Sequence, residues 1–504
     1  MPLVLMLGCA GSAPRSTTGT SAAALPVLHR QDVLWLERIS FGLDSANVAE
    51  YHRLGRERYL DRQLMGLEPA LPAGLAAELH GPEEGQSDPE RALADANAQY
   101  KAINAMADGA DKELARKSLN ERANKLAYEA ARRELLRALY SPAQLKEQMV
   151  WFWLNHFSVY QAKANLRWLV ADYADRAIRP HALGHFKDLV LATLEHPAML
   201  QYLDNSQNAL GHVNENYARE LMELHTLGVD AGYTQQDVQQ LARVLTGTGV
   251  NAGNPPKLKP QWQALYRREG AFEFNPARHD FGDKVLLEHT IRGRGFAEVE
   301  EAVSLIVSQP ACARFVSRRL ATYFVADDPP PALVARMART FTRTDGDIAA
   351  VLREMFLSPE LDAALGAKFK DPMRFVVSAV RLAYDGRTIT NARPLLSWLN
   401  GLGEAPFSRQ TPDGFPLTET SWASSGQISR RFEIARAIGS GSAGLFDAEG
   451  GGAAGGGFPQ LSNRLYFEAA EPFLASNTRI ALARANSPQE WNTLLLASPD
   501  FNYE

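Results

Sequence analysis

The chain has 504 residues, 45% hydrophobic and 22% charged, enough apolar material for a sizeable core and too little net charge for a disordered tail. Its 53 basic and 58 acidic residues leave a formal charge of -5, without the basic excess that tracking a phosphate backbone needs, so nucleic acid is not expected as a partner. With two cysteines, Cys9 and Cys312, there is no disulfide framework, no C-x-x-C redox pair, no haem c attachment, no Fe-S cluster and no thiolate zinc cage; a divalent metal would have to be held by histidines and carboxylates.

Residues 1–8 (MPLVLMLG) are apolar and lead into Cys9, after which residues 10–24 are small, polar and low in complexity. Leu7, Gly8 and Cys9 resemble the end of a bacterial lipoprotein signal, in which the cysteine takes the lipid. On that reading residues 1–25 are a signal-like segment and flexible tether, and a lipid on Cys9 is the only link to a membrane. The protein is then exported, as an outer-membrane lipoprotein facing the periplasm or the cell surface. The apolar run is short and no Lys or Arg precedes it, departures that a start further upstream would remove. Elsewhere no run approaches the ~20 apolar residues needed to span a bilayer.

From Val27 onward apolar residues recur at three and four, which predicts a mainly α, irregular multi-helix domain over residues 26–504. Residues 94–140, rich in Ala, Glu, Lys, Arg and Leu, read as one or two long exposed helices forming a charged arm. Ser141 and Pro142 fit the N-cap and first position of a new helix. Residues 145–160 (LKEQMVWFWLNHFSVY) are apolar almost all round, the pattern of a helix buried at the centre. Thr234 and Asp237 predict a capping box, and Gly247 a left-handed stop for the helix it opens.

Residues 272–291 break the helical pattern and read as a small β-hairpin or loop lying on the helical body. Helices are expected again near 297–324, 331–342, 348–357 and 371–384. VLREMFLSPEL from Val351 and WNTLLLASPDF from Trp491 each pair a helix end with a Ser-Pro restart, two copies being too few for a solenoid. Residues 439–457 form a Gly-rich surface loop without the strand, spacing and Lys of a phosphate loop, so no nucleotide is expected there.

Taken together, FWLNHF (152–157), HPAMLQYLDN (196–205), NENYARELMELHTLGVDAGYTQQDV (214–238), ARVLTG (242–247), His279-Asp280 with Lys284, and PDGFP (412–416) resemble a bacterial family known only as domain of unknown function family 1800. The similarity runs from about Leu34 to the C-terminus. It implies an α-helical, exported protein, often encoded beside a second exported protein that resembles sulfatases; it implies no reaction. The chain departs from the family pattern at Thr248 and Phe415, where Trp is usual, and at Glu288, where Gly is usual, which would thin an aromatic wall if those Trp positions line a site.

At 100° per residue, Asn216, Glu220 and Glu223 fall within about 60° of one another, with Arg219 at their edge and His225 near 180° away. One reading makes Asn216, Arg219, Glu220 and Glu223 the floor of a polar pocket. The other makes Glu215–Arg219 and Arg219–Glu223 surface ion pairs and gives His225 a role at the helix C-terminus before Gly228. Leu227 shares the carboxylate face, which argues against plain solvent there.

His156, among Met149, Phe152, Trp153 and Tyr160, is either a hydrogen-bonded core histidine or an acid–base group, and the adjacent Asn155 is placed to bond a neighbouring helix. His181, His185 and Asp188 have the i, i+4, i+7 spacing of helical metal ligands or of a surface cluster. His279 and Asp280 are metal-ligand candidates in the insertion, where Asp280 reads equally as an Asx-turn residue ahead of Gly282. Trp151, Trp153, Trp262, Trp398 and Trp422 are able to stack on sugars, although Trp at helical spacing usually packs in a core. No H-E-x-x-H helix and no G-x-S-x-G elbow is present.

The expectation is an envelope enzyme acting on a glycan or ester-type polymer by acid–base or metal-assisted hydrolysis. Glu220 is expected as acid–base group or ligand, Arg219 as anion clamp and His279 as ligand or proton shuttle, with Asn216, Glu223, Asp280 and His156 completing the pocket. The alternative is a non-catalytic scaffold or binding partner of the co-encoded sulfatase-like protein, using the charged arm at 94–140 as its contact surface.

Overall fold

The computed structural model describes residues 28–67, 71, 75–76, 79, 89–447 and 458–504. The lipoprotein-like segment with Cys9, and residues 448–457 of the Gly-rich loop, lie outside the described residues. The described chain is mainly α, with two small antiparallel sheets. No described helix is long and apolar enough to cross a membrane.

At the centre lies the helix Gln144–His156, in which twelve of thirteen residues are buried, all but Lys146. Its all-round apolarity demands neighbours on every side, and one continuous core reaching from Leu28 to Phe501 supplies them. Charged side chains thread this core in ion-paired networks. Glu504 pairs with Arg38 at 3.5 Å and Arg374 at 2.8 Å, Lys370 meets Glu37 at 2.9 Å, and Arg374 also donates to Gln148 at 2.9 Å. On the other flank Arg179 joins Glu134 and Glu147, both at 2.7 Å. Pairing of this kind is what makes buried charge tolerable.

The segment expected as an exposed arm is only partly one. It forms two helices, Pro89–Ala105 and Ala110–Tyr140, which close a small core of their own around Ala96, Ile103, Leu119 and Ala123. The far end of the second helix then enters the main core through Ala130, Leu135, Leu136 and Leu139, so apolar burial at one end overrides the polar composition of the whole. Ser141 does not cap the central helix. Its hydroxyl accepts from the Ala143 amide in a tight turn, and the helix begins at Gln144. Thr234 and Asp237 do form the expected capping box, opening the helix Gln235–Val244, and Gly247 beyond it has φ +84°. Both Ser-Pro restarts are real N-caps: Ser358 accepts from Leu361 N at 3.2 Å and Ser498 from Phe501 N at 3.1 Å.

The non-helical insertion is larger than the sequence pattern indicates. β1 (Thr248–Val250), β2 (Arg267–Glu269) and β3 (Phe272–Phe274) form an antiparallel sheet in the order β1-β3-β2. A separate hairpin follows, β4 (Lys284–Leu286) with β5 (His289–Ile291), joined by a two-residue turn at Leu287 and Glu288. Three-residue strands are too short for alternation to declare itself, so β1 and β2 were not foreseen.

Candidate functional site

The carboxylate-bearing helix changes character midway. Residues Asn216–Glu220 are α-helical, and Leu221–Thr226 form a π-helical turn in which Leu227 N donates to Met222 O at 2.8 Å and the Thr226 hydroxyl to Leu221 O at 2.6 Å. The fixed 100° step therefore fails beyond Glu220. The two faces separate nonetheless, with Glu220 and Glu223 half-buried and His225 fully buried. Inserted π-turns of this sort recur at functional sites.

Of the four residues expected in a pocket here, two are tied elsewhere. Arg219 bonds Glu215 at 3.1 Å and Gln235 at 3.0 Å, an exposed i,i+4 arrangement rather than an anion clamp. Asn216 is exposed and donates to Leu203 O at 3.1 Å, which fastens one motif block to another. Glu220 and Glu223 make no hydrogen bond or ion pair among the described residues. Burial raises the Glu220 carboxyl above its ordinary range, and the charges of Glu223 and Asp413 add to the rise while Arg219 opposes it. The Tyr233 hydroxyl is raised by burial and by the charges of Glu223 and Glu220.

Asp413, from PDGFP, reaches this site because the central helix grips that loop. Asn155 donates to Phe415 O at 3.1 Å and accepts from Phe415 N. The intervening Gly414 has φ +74°, and a Cβ there would lie 2.3 Å from Asn155 O, so only glycine fits. Tyr202 donates to Gln410 O at 2.9 Å, and Arg409 clamps Asp413 in bidentate fashion at 2.8 and 2.9 Å. Phe415 stacks on Trp151 at 6.4 Å, and both line a shallow hollow with Asn155, Ser158 and Arg409.

Behind the carboxylates lies a buried cluster whose polar atoms are unmet. His156 Nε2 donates to His225 O at 2.9 Å, leaving its Nδ1 without a partner, and neither ring nitrogen of His225 has one. The ring centroids are 6.0 Å apart, with Phe157 against both. Burial and the nearby Arg319 charge hold His156 well below the ordinary imidazole range and lower His225 to about 3. His225 is therefore neutral, and the helix C-terminal role, which needs a cation, does not apply. Arg319, on the helix Pro310–Phe324, makes no hydrogen bond or ion pair among the described residues, and its Nε is fully buried. Burial lowers its guanidinium below the ordinary range, and the charge of Asp413 opposes this.

His279 and Asp280 belong to a different place. His279 is 2% exposed; its Nδ1 donates to Thr246 O at 2.7 Å and its Nε2 to Glu298 Oε1 at 2.9 Å. Glu298 also receives Lys284 Nζ and the amides of Arg294 and Gly295. Burial pushes the Glu298 carboxyl up, but the hydrogen bonds from His279 and Lys284 outweigh this and leave it below its ordinary value. Asp280 makes the Asx turn onto Gly282 N at 2.8 Å and pairs with Arg243 at 2.8 Å. Both His279 nitrogens and both Asp280 carboxylate oxygens are engaged, and neither residue makes a hydrogen bond or ion pair with Glu220 among the described residues.

The remaining candidates scatter. The i, i+7 geometry of His181, His185 and Asp188 is broken, because a 3₁₀ turn ends at His181 and the next helix starts at Phe186. His185 binds Asp345 O at 2.9 Å, whereas His181 and Asp188 line a cleft of about 400 Å³ with Asp172, Glu195 and His196. Among the described residues no group of three or more His, Cys, Asp or Glu is placed to hold a metal ion. Trp153 and Trp422 are buried, with indoles bonded to Ala182 O and Pro416 O, Trp398 packs against the core, and Trp262 stacks on Phe281. Thr248 is a buried strand residue bonded to Asn205 at 2.7 Å and lines no part of the carboxylate site.

Arg319 and Asp413 were missed by sequence reasoning. The signal for Asp413 was present, since PDGFP is one of the recurring blocks; Arg319 sits in an ordinary amphipathic helix and carried none.

The molecule is thus a mainly α-helical protein whose separate motif blocks are bonded to one another around Glu220, His156 and Asp413. Residues 34–503 match the family described as "Protein of unknown function (DUF1800)", and the chain belongs to that family. No curated protein and no solved structure matches it.

Proposed function

We propose that the protein is an exported envelope hydrolase that cleaves a glycosidic or ester bond by acid–base catalysis at Glu220 and Glu223. The observation that carries this reading is a pair of half-buried carboxylates one turn apart with no partner, of which Glu220 is held toward its protonated form. Two neighbouring acids in unlike environments are the arrangement that lets one donate a proton while the other accepts one. Glu220 would protonate the leaving oxygen and Glu223 would activate water. The roles earlier expected of Arg219 and His279 are not part of this proposal, and no step is routed through a metal.

The test incubates the purified chain with cell-envelope polysaccharides, acetylated and not, and measures new reducing ends and free acetate. Release by the wild type, reduced about 10²–10⁴-fold in Glu220→Gln, is the expected result for loss of a general acid. No release from any substrate, or equal release by the variant, would overturn it and leave the scaffold for a co-encoded partner.

A further inference from the structure

We propose that Arg319, His156 and His225 form a binding site for a phosphate group, separate from the carboxylate pair and independent of whether that pair is catalytic. Arg38, Arg56, Arg179, Arg374 and Arg431 also bury an unmet Nε, but each is held by an ion pair or hydrogen bond elsewhere on its guanidinium; Arg319, partly buried, has neither among the described residues. Three ring nitrogens in the same cluster, His156 Nδ1 and both of His225, are buried and unmet as well. One unmet ring nitrogen is ordinary; three on two rings 6.0 Å apart, with an unpaired guanidinium whose charge acts on both, point to a missing ligand.

The chemistry of the orphans narrows the ligand. His156 Nε2 donates to a carbonyl, so its Nδ1 carries a lone pair and needs a donor. Neutral His225 supplies one donor and one acceptor. Arg319 supplies donors and a positive charge. The ligand must therefore be anionic and also carry a hydrogen of its own. A phosphate group, which is partly protonated near neutral pH, meets both demands; sulfate, fully ionised, meets only the first. A cation would be repelled by Arg319 and would find no carboxylate to balance it, because Asp413 is already clamped by Arg409. Arg319 is not wholly enclosed.

The experiment is calorimetric titration of the full chain with inorganic phosphate, with glycerol 1-phosphate and with sulfate at matched ionic strength, backed by ¹⁵N spectra of the histidine rings. Phosphate is expected to bind one per chain, at least fivefold more tightly than sulfate, and to shift the His225 ring resonances. Tighter binding of the ester than of the free ion would assign the site to a phosphorylated substrate, the reverse to free phosphate, and either supports the site. Arg319→Met is expected to lose at least tenfold in affinity while melting no lower than the wild type in phosphate-free buffer. Absence of phosphate binding with unmoved His225 resonances, equal affinity for sulfate, or a lower melting point of Arg319→Met without phosphate would each overturn the proposal. The spectra keep the test decisive if the variant fails to fold.

Discussion

Two buried histidine clusters, one around His279 and one around His156 and His225, are built from similar residue types and differ in one respect. Around His279 every hydrogen-bonding group has a partner: two ring donors, two carboxylate oxygens and the Lys284 ammonium close on one another and on backbone amides. Around His156 the ledger stays open, with unmet nitrogens on two rings and an unpaired guanidinium. A closed network in a low-dielectric interior rigidifies the fold and has no capacity left for a ligand. An open one costs stability and keeps that capacity. The difference teaches that a buried histidine beside a conspicuous acidic partner marks a latch here, whereas the histidines lacking such partners mark the place for chemistry.

The comparison breaks most visibly at Glu298. Removing this carboxylate by Glu298→Ala leaves Lys284 buried and His279 with an unanswered donor. A loss of about 3–5 kcal/mol is expected, the usual cost of stranding one member of a buried ion pair. Urea denaturation read by circular dichroism measures it. A loss below about 1 kcal/mol would mean that the latch relaxes into water and that the contrast drawn above is unfounded.

Acid tests the other cluster. The folded-state value of His225 lies below its unfolded value near 6.5, so the neutral ring's contribution is full above that pH. It is lost as pH falls from about 6.5 toward about 3, because the unfolded chain binds the proton first. Thermal melts of wild type and His225→Phe over this window are expected to converge, the variant losing less of its melting temperature on acidification. Parallel curves would show that His225 titrates as freely in the folded protein as in the unfolded chain.

Much of the helical frame was legible in the sequence, because capping boxes, Ser-Pro restarts and all-round apolarity are local signals. Thr234 with Asp237, Ser358, Ser498 and the central helix all declared themselves. The site was half legible. Helical angles put Glu220 and Glu223 together and His225 opposite them, yet could not foresee the π-turn, which depends on backbone bonds five residues apart. For Arg219 the sequence offered the Glu215 ion pair beside the anion clamp, and that pair is present; for His279 it offered no partner. Glu298, nineteen residues from His279, is invisible to spacing. Arg319 was invisible for the opposite reason, since the lack of a partner has no sequence signature.

The smallest effect lies in the hairpin that carries Lys284 into the latch. Leu287 and Glu288 have φ +47° and +66°, left-handed at both central positions of a two-residue turn, the geometry that favours Asn-Gly. Neither residue suits it, each costing roughly 1 kcal/mol. The turn persists because Leu287 N is held by Asp237 Oδ1 at 2.7 Å, the carboxylate whose other oxygen caps the Gln235–Val244 helix. Glycine at 288 would relieve the strain, although its extra freedom in the unfolded chain returns part of the gain. Glu288→Gly is therefore expected to stabilise by about 0.5 kcal/mol and to leave phosphate binding at Arg319 unchanged. A stabilisation accompanied by altered phosphate affinity would show that latch and open cluster are coupled through the Gln235–Val244 helix, and the two regions would have to be treated as one.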